Sequence, residues 1–284
     1  MVQARLNGLL PADFAAETMP LIDVSNPPQR PRQSYGPTEI SDARLRGDER
    51  SEAERFAEDG FVLLPHATSV RDWDADVAAI YLPEIEAIVR DRLFPGQRIE
   101  IQQHPSIVRR GPGTGNSYAG GVHSDGPLTA EKYGANVGAF AGPEAEKWWL
   151  GQYARPEVRG FVNVDFWRTT NMAEPLRHMP LALCRPASLD RSDIVEMQMV
   201  GIAPDRNVSN HLMLRLNPEQ SWAYYAEMRS DELLAFKLCE FWKNDPDAPP
   251  QNVFHSAFEH PDTPADAEHR QSCEHRVGVL ILDD

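Results

Sequence analysis

The stretch HRVGVLILDD, residues 275–284, closes the chain with an apolar run that alternates like a strand. Side chains two apart share a face in a strand, so Val277, Val279 and Ile281 face one way, and the density of apolar residues predicts burial in a core. Working back from it, short strands are predicted at 253–256, 233–238, 222–226, 211–216, 194–200, 180–184, 160–167, 121–124 and 106–109, and around Ile99 and Ile101. Clusters of Gly, Pro, Asn and Asp separate them. Many short strands behind an N-terminal helical layer predict a mainly β fold with flanking helices, whose commonest enzymatic form is the two-sheet jelly roll. No period of 20 to 50 residues recurs, which excludes solenoids and propellers.

The helical layer begins at Ser51. Ser51 and Glu54 form a capping box, Ala53, Phe56 and Ala57 a short apolar face, and Gly60 a stop, after which Phe61–Leu64 reads as a buried strand. Between Asp72 and Leu93, Trp73, Val77, Ile80, Tyr81, Ile85, Ile88 and Val89 recur at helical spacing. Pro83 makes this either one kinked helix or two stacked ones. The segment 144–153, EAEKWWLGQY, is the other helix predicted. Residues 1–50 hold few apolar clusters and the breaker-rich NPPQRPRQSYGP, and are expected to form an extended arm or lid before a single domain over 51–284.

The chain has 284 residues and a formal charge of −15, which argues against nucleic acid or an anionic membrane as partner. No apolar run reaches the ~18 residues that span a bilayer, and the first residues lack a secretory h-region, so a cytoplasmic protein is expected. Cys184, Cys239 and Cys273 have no C-x-x-C spacing and are expected to be reduced structural thiols. Only Lys132, Lys147, Lys237 and Lys243 could serve Schiff-base chemistry. The glycine-rich GPGTGNSYAGG lacks the Gly-Lys-Ser/Thr ending of a phosphate loop and precedes a strand.

The chemistry is expected at His123-Ser124-Asp125. On a strand, His-x-Asp turns an imidazole and a carboxylate into one pocket, and His255 in VFHSAF is placed to complete a two-histidine, one-carboxylate set of the kind that holds non-haem Fe(II). The spacing alone is weak, because roughly 0.7 matches are expected by chance and the chain holds two. The second, His260-Pro261-Asp262, lies in a proline-broken acidic loop with little chain beyond it. Fifteen residues after His255 come Arg270 and Ser272, a guanidinium and a hydroxyl suited to the distal carboxylate of 2-oxoglutarate. Arg276 is the alternative anchor, and Arg32-Gln33-Ser34 repeats the Arg-x-Ser spacing. Arg109 and Arg110 are candidates for a substrate carboxylate, and Trp167 with Arg168 for a cation–π shelf under a substrate.

In order along the chain, His123-Ser124-Asp125, Trp167-Arg168, Pro180 to Cys184, Trp222 to Tyr225, Asp231 to Lys237, His255 to Phe258 and Arg270 to Arg276 resemble the CmcJ/AsaB-type, gibberellin-desaturase-like oxygenases of secondary metabolism. The resemblance covers about residues 100 to 282, with Thr169-Thr170 standing where that family has proline. It implies an Fe(II)- and 2-oxoglutarate-dependent dioxygenase on a double-stranded β-helix, with O2 as oxidant. His123, Asp125 and His255 would be the metal ligands, and Arg270 with Ser272 would bind the co-substrate. The expected reaction is hydroxylation, desaturation or oxidative cyclisation of a small natural-product intermediate, and a homodimer is the candidate assembly. The competing expectations are a cupin-type metalloenzyme that does not use 2-oxoglutarate, and a non-catalytic small-molecule-binding protein. A methyltransferase is disfavoured, since no strand leads into a glycine-rich turn and helix.

Overall fold

The computed structural model describes residues 1–15, 18–24 and 36–283. Its first strands are β1 (Val2–Ala4), β2 (Leu21–Asp23), β3 (Thr38–Asp42), β4 (Phe61–Pro65), β5 (Ile99–Gln103), β6 (Val108–Arg110) and β7 (Val158–Thr169). They continue with β8 (Leu181–Cys184), β9 (Ile194–Val200), β10 (Val208–Leu214), β11 (Trp222–Tyr224), β12 (Glu232–Trp242), β13 (His255–Ala257) and β14 (Ser272–Leu282). A major sheet runs β4-β12-β7-β14-β5, with β6 also on β14. Opposite it lie a five-stranded sheet, β1-β3-β11-β8-β13, and a three-stranded one, β10-β9-β2. Leu234, Phe236 and Trp167 of the major sheet share one buried cluster with Leu181, Leu183 and Ala223 of the five-stranded sheet, so the two sheets face each other. This is a double-stranded β-helix.

Strand period decides what each face carries. Val277, Val279 and Ile281 of β14 and Val162, Val164 and Phe166 of β7 turn outward into a core shared with the helical layer, as the alternation in HRVGVLILDD predicts. The inward positions are polar: Asp165, Trp167 and Thr169 stand opposite Arg276, Glu274 and Ser272 across the β7–β14 ladder. A buried sheet face that carries Asp, Glu, Arg, Ser and Thr forgoes hydrophobic stabilisation, which marks it as a working surface.

Helix α1 (Glu52–Asp59) has the predicted capping box and ends at Gly60 in the left-handed conformation. Helical backbone then runs unbroken from Val77 to Leu93, with α2 (Leu82–Ile88) between two wide π-type turns. Pro83 lies inside this run, directly after the first wide π-type turn, where the altered hydrogen-bond ladder accommodates it, so the prediction resolves to one helix. Helices α3 (Ala130–Ala141) and α4 (Pro143–Ala154) form a hairpin. The sequence reading expects only the second of these. Gly134 and Gly138 dilute the helical signal of α3, yet they are what the hairpin needs: a Cβ on Gly134 would lie 2.8 Å from a Leu150 methyl, and one on Gly138 2.5 Å from Glu146 Oε2. The predicted strand at 121–124 is reduced to two bridges, His123 with His255 and Ser124 with Leu212, which join the two smaller sheets.

In the N-terminal segment, β1 pairs with β3 and β3 with β11, and Leu6, Leu9 and Leu10 are buried. Arg32-Gln33-Ser34 lies outside the described residues. The three cysteines are free and buried. Among the described residues no helix is long and apolar enough to cross a membrane.

His275, on the outward face of β14, is buried between Ser106 O (3.3 Å from Nδ1) and Gln103 Oε1 (3.1 Å from Nε2). Burial brings its pKa down to about 4. Between about pH 6.5 and pH 4 the unfolded chain therefore takes a proton that the folded ring refuses, so this residue contributes stability above that window and loses it as pH falls. His275→Gln is expected to lose less stability than the parent protein on going from pH 7 to pH 4.5, by on the order of 2 kcal/mol, measured by urea unfolding at the two values. Equal losses would contradict this.

Candidate metal centre

His123 and His255 are a reciprocally hydrogen-bonded antiparallel pair: His123 N–H donates to His255 O at 3.2 Å and His255 N–H to His123 O at 3.0 Å. That pairing sets the two imidazoles side by side, with ring centroids 4.5 Å apart. Asp125, two residues on, turns to the same side. One potential ligand atom from each of His123, Asp125 and His255 lies within 4.8 Å of the others, the only such group of three or more among the described residues. His123 Nδ1 donates to Gly121 O at 2.6 Å and His255 Nδ1 to Val253 O at 3.1 Å. Each ring is thereby held in the tautomer whose Nε2 is left as a lone-pair donor, as in metal-binding histidines.

Burial alone would raise the Asp125 carboxyl. The Arg276 guanidinium, 2.7 Å from Oδ2, together with His123 and His211, outweighs it and holds the group well below the usual carboxylate range. His255 goes the other way for a histidine: burial and then His123 bring it down to about 4, so its ring is neutral at physiological pH. Two imidazoles and one carboxylate are the donor set suited to a divalent iron. Asp165, opposite Arg276 on the β7–β14 ladder, is pushed well above its ordinary value by burial and then by Glu274.

His123, Asp125 and His255 line a narrow cavity of about 20 Å³, together with Arg270, Arg110, Trp167, Phe236, Leu181 and Glu274. Arg270 enters it from just before β14. Its guanidinium carbon stands 4.3 Å from the Tyr118 ring centre and 5.5 Å from that of Trp167. Nη1 donates to Met179 O at 2.6 Å, while Nε finds no partner among the described residues. Arg270 is 2% exposed and no described carboxylate pairs with it, so burial lowers its pKa to about 10. Ser272 Oγ, also buried in this region, has no described partner. A buried guanidinium with no carboxylate partner, lining the cavity, is a fitting berth for a ligand carboxylate.

The structure separates the four remaining candidates in pairs. Arg110 lines the cavity and pairs with Glu274 at 3.1 Å, whereas Arg109, one residue away and so on the opposite side of β6, reaches Asp74 at 2.8 Å. Trp167 lines the cavity, whereas Arg168 turns outward, fully buried. There it donates to His66 Nδ1 at 3.1 Å and to Ser230 O, and lies over Trp73 rather than Trp167. No Trp167–Arg168 shelf forms, because neighbours on a strand face apart. His260 is engaged by Tyr224 Oη at 3.0 Å and by Asp262 N–H at 3.1 Å, away from the cavity. Glu268, two residues before Arg270, accepts from the Ala173 and Glu174 N–H groups.

His211 was not singled out by the sequence reading. From β10 its Nδ1 reaches Asp125 Oδ1 at 3.2 Å, and its Nε2 meets Ser209 Oγ at 2.8 Å. The only sequence signal is a Ser-x-His spacing that ends at the first residue of the predicted 211–216 strand, which is too common to be diagnostic.

A family model described as oxidoreductase/YMDC permease-like domain matches residues 14–280. No curated protein matches the chain. Among solved structures, the iron and alpha-ketoglutarate-dependent endoperoxidase NvfI, in a different conformation, aligns with a TM-score of 0.74 at 20% identity, covering 99% of this chain and 98% of that one. A tryptophan-to-phenylalanine variant of the same endoperoxidase aligns at 0.72 and 21% identity, covering 99% of both chains. At such identity the likeness is one of fold.

Proposed function

The chain belongs to the oxidoreductase/YMDC permease-like family, and on that premise we propose that it is an Fe(II)- and 2-oxoglutarate-dependent oxygenase of the CmcJ/AsaB type, acting on a small natural-product intermediate. The observation that carries this reading is the unpaired, buried guanidinium of Arg270 in the same cavity as the His123, Asp125 and His255 cluster. The fold shared with an iron and alpha-ketoglutarate-dependent endoperoxidase supports it further.

In this reading His123 Nε2, Asp125 and His255 Nε2 hold the iron, and Arg270 with Ser272 binds the distal carboxylate of 2-oxoglutarate. Bound together, iron, 2-oxoglutarate and O2 supply an oxidant through decarboxylation of the keto acid to succinate. The chain's own part is placement and exclusion of water. Trp167, Leu181 and Phe236 give the cavity apolar walls that keep water from the reacting centre. Trp167 and Tyr118, both in cation–π contact with Arg270, hold its guanidinium before the co-substrate arrives. Arg110 neutralises Glu274, which would otherwise repel a dicarboxylate lying along β14 between Arg270 and Asp125. The glycine-rich 111–121 loop is the closing segment, tied down by Tyr118 Oη donating to Arg270 O at 2.8 Å. Because Asp125 supplies a carboxylate ligand, hydroxylation, desaturation or oxidative cyclisation is favoured over halogenation, which needs that position for halide.

The test is an anaerobic titration of the protein with Fe(II) and then 2-oxoglutarate. The expected result is the weak visible absorption of an iron–keto-acid chelate, absent without either component. No absorption, together with no binding of 2-oxoglutarate by calorimetry, would overturn the proposal.

A further inference from the structure

The carboxylate of Asp125 is held at both oxygens by side chains that are not candidate ligands. Oδ2 accepts from Arg276 Nη2 at 2.7 Å, and Oδ1 stands 3.2 Å from His211 Nδ1 and 3.7 Å from His123 Nε2. His211 is itself buried and braced by Ser209 Oγ at 2.8 Å. Arg276 is anchored by its place on β14, and the same Nη2 lies 3.6 Å from Glu274 Oε1, while Glu274 is paired with Arg110. Alternating charges therefore run Arg110, Glu274, Arg276, Asp125, from the start of the glycine-rich loop to the histidine pair. Oδ1 faces His123 and His211, and Oδ2 is taken by the guanidinium.

We propose that Arg276 is a positioning residue that, with His211, restricts Asp125 to offering one oxygen to a metal. This rests on the metal-centre reading above and adds to it the device that sets the ligand count. Two histidines and a one-oxygen carboxylate leave three positions of an octahedron open, enough for a chelating keto acid and O2 together. A two-oxygen Asp125 would leave two. Arg276 is thus committed to Asp125, and the role of co-substrate anchor falls to Arg270.

Cobalt(II) alone is the probe, since its ligand-field absorption reports coordination number without turnover. In Arg276→Met, cobalt affinity is expected to fall about 10- to 100-fold, the usual cost of losing a partner that orients a ligand, with a changed ligand-field spectrum in protein that is still folded by circular dichroism. Arg276→Lys, which returns a cation toward Oδ2, is expected to recover at least half of that loss on a logarithmic scale. A role in stability alone would lower the melting temperature and leave affinity and spectrum of the folded protein unmoved. Should Arg276→Met fail to fold, the structure of the cobalt-loaded parent protein decides: Oδ1 on the metal and Oδ2 still on Arg276 supports the inference, and both oxygens on the metal overturns it. If the parent protein takes up no cobalt, the metal-centre reading falls and this inference with it. If the parent binds cobalt and Arg276→Met matches its affinity and spectrum, only the inference falls.

Discussion

His255→Ala is expected to reduce iron-dependent succinate formation to background and to weaken Fe(II) binding by more than about 100-fold, beyond the upper end of what losing an outer partner costs. The ring is buried, neutral and pinned by Val253 O, so little rearrangement is required before it meets a cation. Without it, His123 and Asp125 remain as one nitrogen and one oxygen, too few to fix iron against water. The substitution also removes the donor to Val253 O, so a stability loss of about 1–3 kcal/mol should accompany it and must be measured beside the activity. His260→Ala is the matching control: that ring bonds to Tyr224 and the Asp262 backbone outside the cavity, and its loss should leave succinate formation unchanged. The measurement is succinate released from Fe(II), ascorbate and 2-oxoglutarate by the parent and both variants. Persistence of iron-dependent release in folded His255→Ala would remove that residue from the metal centre.

Arg270→Met should separate affinity for 2-oxoglutarate from stability. Truncating one partner of a buried charge pair costs about 2–5 kcal/mol, so the 2-oxoglutarate dissociation constant is expected to rise roughly 30-fold or more. Iron binding should persist, because no candidate ligand touches Arg270. Without co-substrate the same substitution exchanges an unpaired, desolvated cation for an apolar side chain of similar length. The ligand-free variant should therefore melt at or above the parent temperature, while the stabilisation that the parent gains from added 2-oxoglutarate disappears. The cation–π contacts with Tyr118 and Trp167 oppose this by about 1 kcal/mol or more, which sets the scale of any deficit. Thermal melts with and without 2-oxoglutarate, at fixed Fe(II), decide it. A variant that keeps the parent affinity for 2-oxoglutarate would show that another group, Arg276 or Arg110, takes the carboxylate.

Much of this was open to reading along the chain. Strand period identified the outward row Val277, Val279 and Ile281, the strand at 194–200 falls where its alternation predicts, and the Ser51–Glu54 capping box starts α1. His123 and Asp125 share a side because they are two apart at a strand-like bridge. Each of these follows from local backbone geometry, which a few neighbouring residues encode.

The remainder depended on register and packing. The pattern of β7 shows that Trp167 and Arg168 face apart, but the choice of Trp167 as the inward one comes from the sheet that packs against it. Helix α3 is hidden by Gly134 and Gly138, whose purpose appears only when α4 crosses them. Thus the chain by itself determined the period, most strand positions from β4 onward and the His-x-Asp pairing, but not the pairing of β1, β2 and β3 into the smaller sheets. Only the tertiary structure decided that His211, 86 residues from Asp125, and Arg276, 151 residues from it, grip the same carboxylate, because contacts between distant strands are set by ladder register and sheet packing rather than by local spacing.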